Sequence, residues 1–103
     1  QNSIGVEFSV DKINTSIYSS FDTDWFISPT TYDNLIDLTV SLCKEYNIPV
    51  SNVVRVFDIN HKRNPLIFCT ETVYVKYSKT GNQLWREFKS TVSERLNNVT
   101  NIK

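Results

Sequence analysis

The sequence predicts one mixed α/β domain over residues 1–103. Three observations carry that expectation. Two segments repeat apolar residues at helical spacing, two others alternate as strands do, and the middle of the chain holds the β-branched and aromatic run Val53-Val54-Arg55-Val56-Phe57-Asp58-Ile59. A length of 103 residues fits a single domain, and 40% hydrophobic residues suffice for a small core.

From Ile4 the chain alternates, with Ile4, Val6, Phe8 and Val10 against Gly5, Glu7 and Ser9, which predicts a strand with one apolar face. Residues 11–28 are polar and less regular. Their aromatic residues Phe21, Trp25 and Phe26 either join the core or form a lid over a groove, and the core reading is favoured because aromatics dominate small cores. Ser28-Pro29 opens a helix, with Ser28 as its cap and Pro29 in its first turn. Tyr32, Leu35, Ile36, Thr39, Leu42, Cys43 and Tyr46 form its apolar face, and Asn47 followed by Ile48-Pro49 stops it. The central run Val53–Ile59 reads as a buried strand that opens into the polar loop Asn60-His61-Lys62-Arg63-Asn64-Pro65. Such a strand end is where α/β proteins commonly place chemistry. Leu66–Cys69 reads as packing. Residues 72–77 read as a strand with Val73, Val75 and Tyr77 on one side, and a turn over Ser78–Asn82 leads to a second helix carrying Trp85, Phe88, Val92 and Leu96 on one face.

Composition narrows the function. Eleven basic and eleven acidic residues give zero formal net charge, which argues against a nucleic-acid binder and against adhesion to an acidic membrane. No apolar run is long enough to span a bilayer, and none reads as a signal-peptide core. Cys43 and Cys69 are expected to be reduced, since Cys43 falls on an apolar helix face. The chain holds no Met and is expected to be a processed product, a fragment or a trimmed chain. No Ser-His-Asp arrangement is legible around the single His, and Gly5 and Gly81 alone make no phosphate loop.

Four runs, taken in order, carry a family resemblance: Asn2-Ser3-Ile4-Gly5-Val6-Glu7, Leu42-Cys43-Lys44-Glu45-Tyr46-Asn47-Ile48-Pro49, the stretch from Arg55 to Pro65, and Trp85-Arg86-Glu87-Phe88-Lys89. Together they resemble the type-2 N-acetylmuramoyl-L-alanine amidases, which include phage endolysins of clostridial type. The family pattern Arg-His-Tyr-Asp-Val-Thr-Gly-Lys-x-Cys-Pro is matched at Arg55, Asp58, Lys62 and Pro65, but its ligand His is Val56 and its ligand Cys is Asn64. Its third ligand, a His near the start of the family's domain, has no counterpart after Gln1.

The resemblance implies an incomplete amidase-like three-layer fold, a central mixed sheet with flanking helices. The family's cofactor is zinc, which needs three protein ligands with lone pairs, so the expectation is no zinc and no hydrolysis. It also implies that any remaining binding uses Glu7, Arg55, Asp58, His61 and Lys62, where Lys62 matches a lysine that assists the oxyanion and Glu7 a strand glutamate. The implied partners are peptidoglycan or a lytic or secretion protein, for a chain made in the cytoplasm and acting at the cell wall. Its biology would be aid in cell-wall passage or protein release.

Two alternatives stay open. One is an active amidase, either as part of a longer parent chain or through a displaced metal site of His61 and Cys69 with Asp58 or Glu71. The other is a self-assembling scaffold. A homodimer through the Ile4–Val10 edge is expected if that edge is left uncovered. The rival is an internal cover by residues 11–28.

Overall fold

The computed structural model describes residues 4–101, with side chains as far as Asn97. Asn2 and Ser3, which open the first of the four runs, lie outside the described residues. The described chain is a mixed helix and strand domain with elements β1 (Asp11–Lys12), β2 (Trp25–Phe26), α1 (Pro29–Glu45), α2 (Val56–Asn60), β3 (Val73–Tyr74), β4 (Lys79–Thr80) and α3 (Gly81–Asn101). Short 3₁₀ turns occupy Val50–Asn52 and Leu66–Phe68. β1 pairs antiparallel with β2, and β3 with β4, so the strands form two separate two-stranded ribbons.

α1 follows its local signals closely. The Ser28 hydroxyl accepts the Thr31 N–H at 3.1 Å, and Pro29 fills the first position, whose N–H would have no helical partner. At the other end Asn47 adopts a left-handed φ of 57°, which lets the Ile48 N–H reach back to the Cys43 carbonyl at 2.9 Å. Leu35, Ile36, Val40 and Cys43 are buried along one stripe, and Asp33, Asn34, Asp37, Ser41, Lys44 and Glu45 are exposed. Cys43 and Cys69 are both free thiols.

The core lies between α1, α3 and the turn at Leu66–Phe68. Phe68 is its centre: its ring lies 5.3 Å from Phe88, 5.6 Å from Trp85 and 5.7 Å from Phe8. Ile36, Ile67, Cys69, Tyr74 and Val92 complete the most deeply buried set. Burial of each such side chain contributes about 1.5–3 kcal/mol before ordering entropy is subtracted.

The start of α3 is threaded closely past residues 69–72. The Gly81 N–H donates to the Thr72 carbonyl at 3.1 Å and the Asn82 N–H to the Thr70 carbonyl at 2.9 Å. A Cβ at Gly81 would collide with the Cys69 carbonyl, so only glycine allows this approach.

Three expected strands take other forms. Residues 4–10 run without helix, turn or bend, but make no ladder among the described residues. Phe8 and Val10 pack on the core, while Ile4 and Val6 stay exposed.

The central run Val53–Ile59 is not a buried strand. It turns into α2 at Val56, and Val54, Val56 and Ile59 are exposed. The cause is local: the Asp58 carboxylate accepts the Arg55 N–H at 2.9 Å, which caps a helix start and leaves no strand edge to pair.

The third expected strand shrinks to Val73–Tyr74, and the face that it buries is the one carrying Tyr74. Tyr74 is fully buried, with its hydroxyl donating to the Leu66 carbonyl at 2.9 Å, while Val73 and Val75 are exposed. A buried tyrosine needs a partner for its hydroxyl, and Leu66 supplies one that the valines cannot use.

Residues 11–28 form an excursion closed by the β1–β2 ribbon. Trp25 and Phe26 are half-buried, but Phe21 is 73% exposed and does not join the core. The two ribbon regions are tied together where the Val75 N–H donates to the Thr23 carbonyl at 2.9 Å. Tyr77 adds a second tie, its hydroxyl accepting the Ile27 N–H at 3.0 Å.

Candidate functional site

Arg55 is the hub of the candidate site. Its Nη2 and Nε donate to the Asp58 carboxylate at 2.6 and 3.1 Å, and its Nη1 donates to the Phe68 carbonyl at 2.7 Å and to the Asn82 Oδ1 at 2.8 Å. Four of its five N–H groups are thereby used. The guanidinium also lies over the Phe57 ring at 5.1 Å and the Trp85 ring at 5.4 Å. Asn82 in turn donates its Nδ2 to the Glu71 carboxylate at 2.6 Å. The Arg55 side chain is 11% exposed. The arrangement fastens α2 to the Leu66–Phe68 turn and to the first turn of α3. The Arg55 hydrogen bonds hold the Asp58 carboxyl below the usual carboxylate range, against the opposing effect of burial.

The other sequence-predicted residues are dispersed around this clamp. His61 ends α2 in a left-handed conformation with φ 63°, exposed, its ring edge-on to Phe57 at 5.9 Å. Lys62 is exposed; its backbone N–H donates to the Asn60 side chain at 3.0 Å. Glu7 is exposed and lines an open groove of about 270 Å³ between residues 6–9 and the first half of α1. The structure therefore brings Arg55 and Asp58 into direct contact and places Glu7 against α1.

The positions of the family's ligands are also visible. Val56 is 40% exposed at the start of α2, and the Asn64 carbonyl accepts the Phe57 N–H at 2.8 Å. Of the displaced set, Cys69 is fully buried, with its thiol donating to the Pro65 carbonyl at 2.9 Å. Burial pushes that thiol's pKa up, outweighing the pull of Arg55 and Arg63. Asp58 is engaged by Arg55 and Glu71 by Asn82. Among the described residues no three His, Cys, Asp or Glu side chains converge as a metal-ligand group, and no helix is long and apolar enough to cross a membrane.

Two cations missed by sequence reasoning organise the excursion over residues 11–28. Lys12, 3% exposed at its side chain, sits 2.8 Å from Asp24 and 3.1 Å from Asp22 and donates to the Asn14 carbonyl at 3.0 Å. Its ammonium lies over Tyr18 at 5.8 Å and Trp25 at 5.7 Å. Burial works against that charge, but the hydrogen bonds to Asp24 and Asp22 prevail and raise the Lys12 pKa. The Lys12 hydrogen bond and the Asn14 N–H hold the Asp24 carboxyl down. Arg63 donates to the Ser20 carbonyl at 2.7 Å and lies 4.8 Å from the Phe21 ring, joining the excursion to the loop after α2. Two aspartates and two aromatics within reach of one early lysine were the available signal for Lys12. Nothing local marks Arg63.

Comparison of the chain with family models, with curated proteins and with solved structures finds no match in any of the three.

Proposed function

We propose that this chain is a non-catalytic binding module, an endolysin-amidase remnant whose partners are peptidoglycan or a lytic or secretion protein. The observation that carries the reading is the commitment of Arg55. A residue matching the family's zinc-site motif spends four N–H groups on structural partners, and the neighbouring ligand positions hold Val56 and Asn64. Neither side chain suits zinc, because valine has no donor atom and an amide oxygen is a poor ligand beside a thiolate. The incomplete amidase-like three-layer frame belongs to this reading, as does a chain made in the cytoplasm and acting at the cell wall. Aid in cell-wall passage or protein release is the biology it implies.

Binding would then fall to the exposed members of the predicted set, Glu7, His61 and Lys62. A pull-down on purified peptidoglycan, with zinc analysis and muropeptide release measured on the same sample, tests the reading. Retention without zinc or release supports it. Lytic release with stoichiometric, chelatable zinc favours the active-amidase alternative.

A second reading, self-assembly, rests on the unladdered run at residues 4–10. A row of unpaired backbone donors and acceptors invites another chain. Light scattering behind a sizing column tests it: a concentration-independent monomer removes the homodimer.

A further inference from the structure

We propose that the groove between residues 4–10 and α1 takes an extended, basic peptide segment of a partner protein. This rests on the binding-module reading and names the ligand class for the part of it that involves Glu7. Three separate observations converge there.

The first is backbone. Residues 4–10 run without helix, turn or bend, and among the described residues none of their N–H or C=O groups is paired with other backbone. Unpaired backbone of this kind recruits an added strand through main-chain hydrogen bonds. The second is shape. The groove of about 270 Å³ lies directly beside that backbone, with Val6 and Phe8 on one wall and Leu35 and Leu38 on the other. Leu38 is 44% and Val6 40% exposed, so an incoming side chain finds apolar walls. The third is charge. Glu7, Ser9, Thr31 and Asn34 supply the groove's polar groups, and the Glu7 carboxylate has no hydrogen bond or ion pair among the described residues. Residues 4–11 and 29–40, which form and flank the two walls, carry Glu7, Asp11, Asp33 and Asp37 and no lysine or arginine. Only Asp37 is answered by a described cation, Arg95 at 2.6 Å.

Charge also chooses between occupants. A second copy pairing symmetrically through residues 4–10 brings two Glu7 carboxylates together with no cation in either run to offset them. A partner strand with lysine or arginine at alternate positions places its cations beside Glu7 and its apolar residues on Val6 and Leu38.

The test uses a defined probe, the acetylated and amidated peptide Val-Lys-Val-Lys-Val-Lys, titrated by calorimetry into the intact protein. Two control peptides accompany it: the same sequence N-methylated at alternate amides, and Val-Glu-Val-Glu-Val-Glu. The expected result is saturable 1:1 binding of the lysine peptide and none of the glutamate peptide. N-methylation should abolish binding, because it removes main-chain donors and leaves the charge. Glu7→Gln should weaken binding about 1.4-fold to fivefold, the range of one exposed ion pair, and Glu7→Lys should weaken it further. Glu7 is exposed, so both variants retain the fold, which circular dichroism checks. No binding, or binding indifferent to N-methylation, overturns the proposal, as does competition of the peptide with a dimer seen in light scattering. Retention on peptidoglycan without peptide binding overturns this inference alone, whereas lytic release of muropeptides overturns the non-catalytic reading and leaves the peptide result standing.

Discussion

Lys12 and Arg55 are both nearly buried cations paired with aspartate, yet they hold different things. The side-chain and carbonyl partners of Lys12, namely Asn14, Asp22 and Asp24, all lie in its own excursion, so Lys12 closes a surface loop upon itself. The partners of Arg55 lie at Asp58, Phe68 and Asn82, so Arg55 joins three segments that are distant in sequence. Lysine is a compact point charge that two carboxylates can surround, whereas arginine offers a fork that serves several acceptors at once. The loss of Lys12 should therefore be felt locally and the loss of Arg55 throughout the domain.

The largest expected effect tests the ground on which Arg55 stands. Gly81→Ala forces the backbone of α3 away from the Cys69 carbonyl and moves Asn82 out of reach of Arg55. A destabilisation of about 3 kcal/mol or more is expected in urea denaturation, as for severe overpacking. An effect below about 1 kcal/mol would mean that the close approach relaxes easily.

Arg55→Ala comes next. It leaves the Phe68 carbonyl and the Asn82 side chain without their donor, and Asp58 without its cation. A cost of about 2–3 kcal/mol is expected, below that of a fully buried pair because Asp58 is 34% exposed. The whole unfolding curve should shift. For this reason wall-binding tests belong on Lys62→Ala, since an Arg55 variant would confuse lost binding with lost fold.

Lys12→Met should leave the global transition nearly in place and open the excursion. Faster hydrogen exchange is expected at the Asn14 and Ser19 amides, which donate to Asp24 and Asp22, together with proteolytic cleavage within residues 13–23. A shift of the global curve as large as that of Arg55→Ala would erase the distinction between the two centres.

The smallest effects come from pH. Asp24 and Asp58 have depressed pKa values, so their contributions are fully present above the ordinary carboxylate range and fade as pH falls through the folded values. Acid therefore weakens both centres. Lys12 has a raised pKa, so its contribution is present below the ordinary lysine range and is lost as pH rises through its folded value. Guanidinium groups stay charged there. Alkaline conditions should thus open the Lys12 excursion and spare the Arg55 clamp. Trp25 lies against Lys12 and Trp85 against Arg55, so single-tryptophan variants give the two readouts by fluorescence. Equal alkaline changes at both tryptophans would contradict the assignment.

The two long helices were legible, whereas α2 and the strands were not, for physical reasons. Ser28, Pro29 and Asn47 act within a few residues of α1, and a 3.6-residue stripe needs no distant partner to be read. A strand exists only by pairing, and the β-branched run at Val53–Ile59 found no neighbour. Its Arg55 and Asp58, three residues apart, held the capping signal that β-propensity obscured. Tyr74 illustrates a second limit. Alternation gave two faces, but the choice between them depended on the Leu66 carbonyl eight residues away. At the site, the family resemblance marked Arg55 and Asp58 only as motif matches and members of the expected binding set. Their structural role became visible only with Phe68 and Asn82, and Lys12 and Arg63 acquire meaning only through long-range contacts.

The measurement that tests the account most directly is the combined assay on purified peptidoglycan. The wild-type chain is incubated with cell walls, and retention, bound zinc and released muropeptide ends are read from one sample. The account predicts retention that falls on Lys62→Ala, no stoichiometric zinc and no release above buffer. Near-equimolar zinc with release that a chelator abolishes would contradict it.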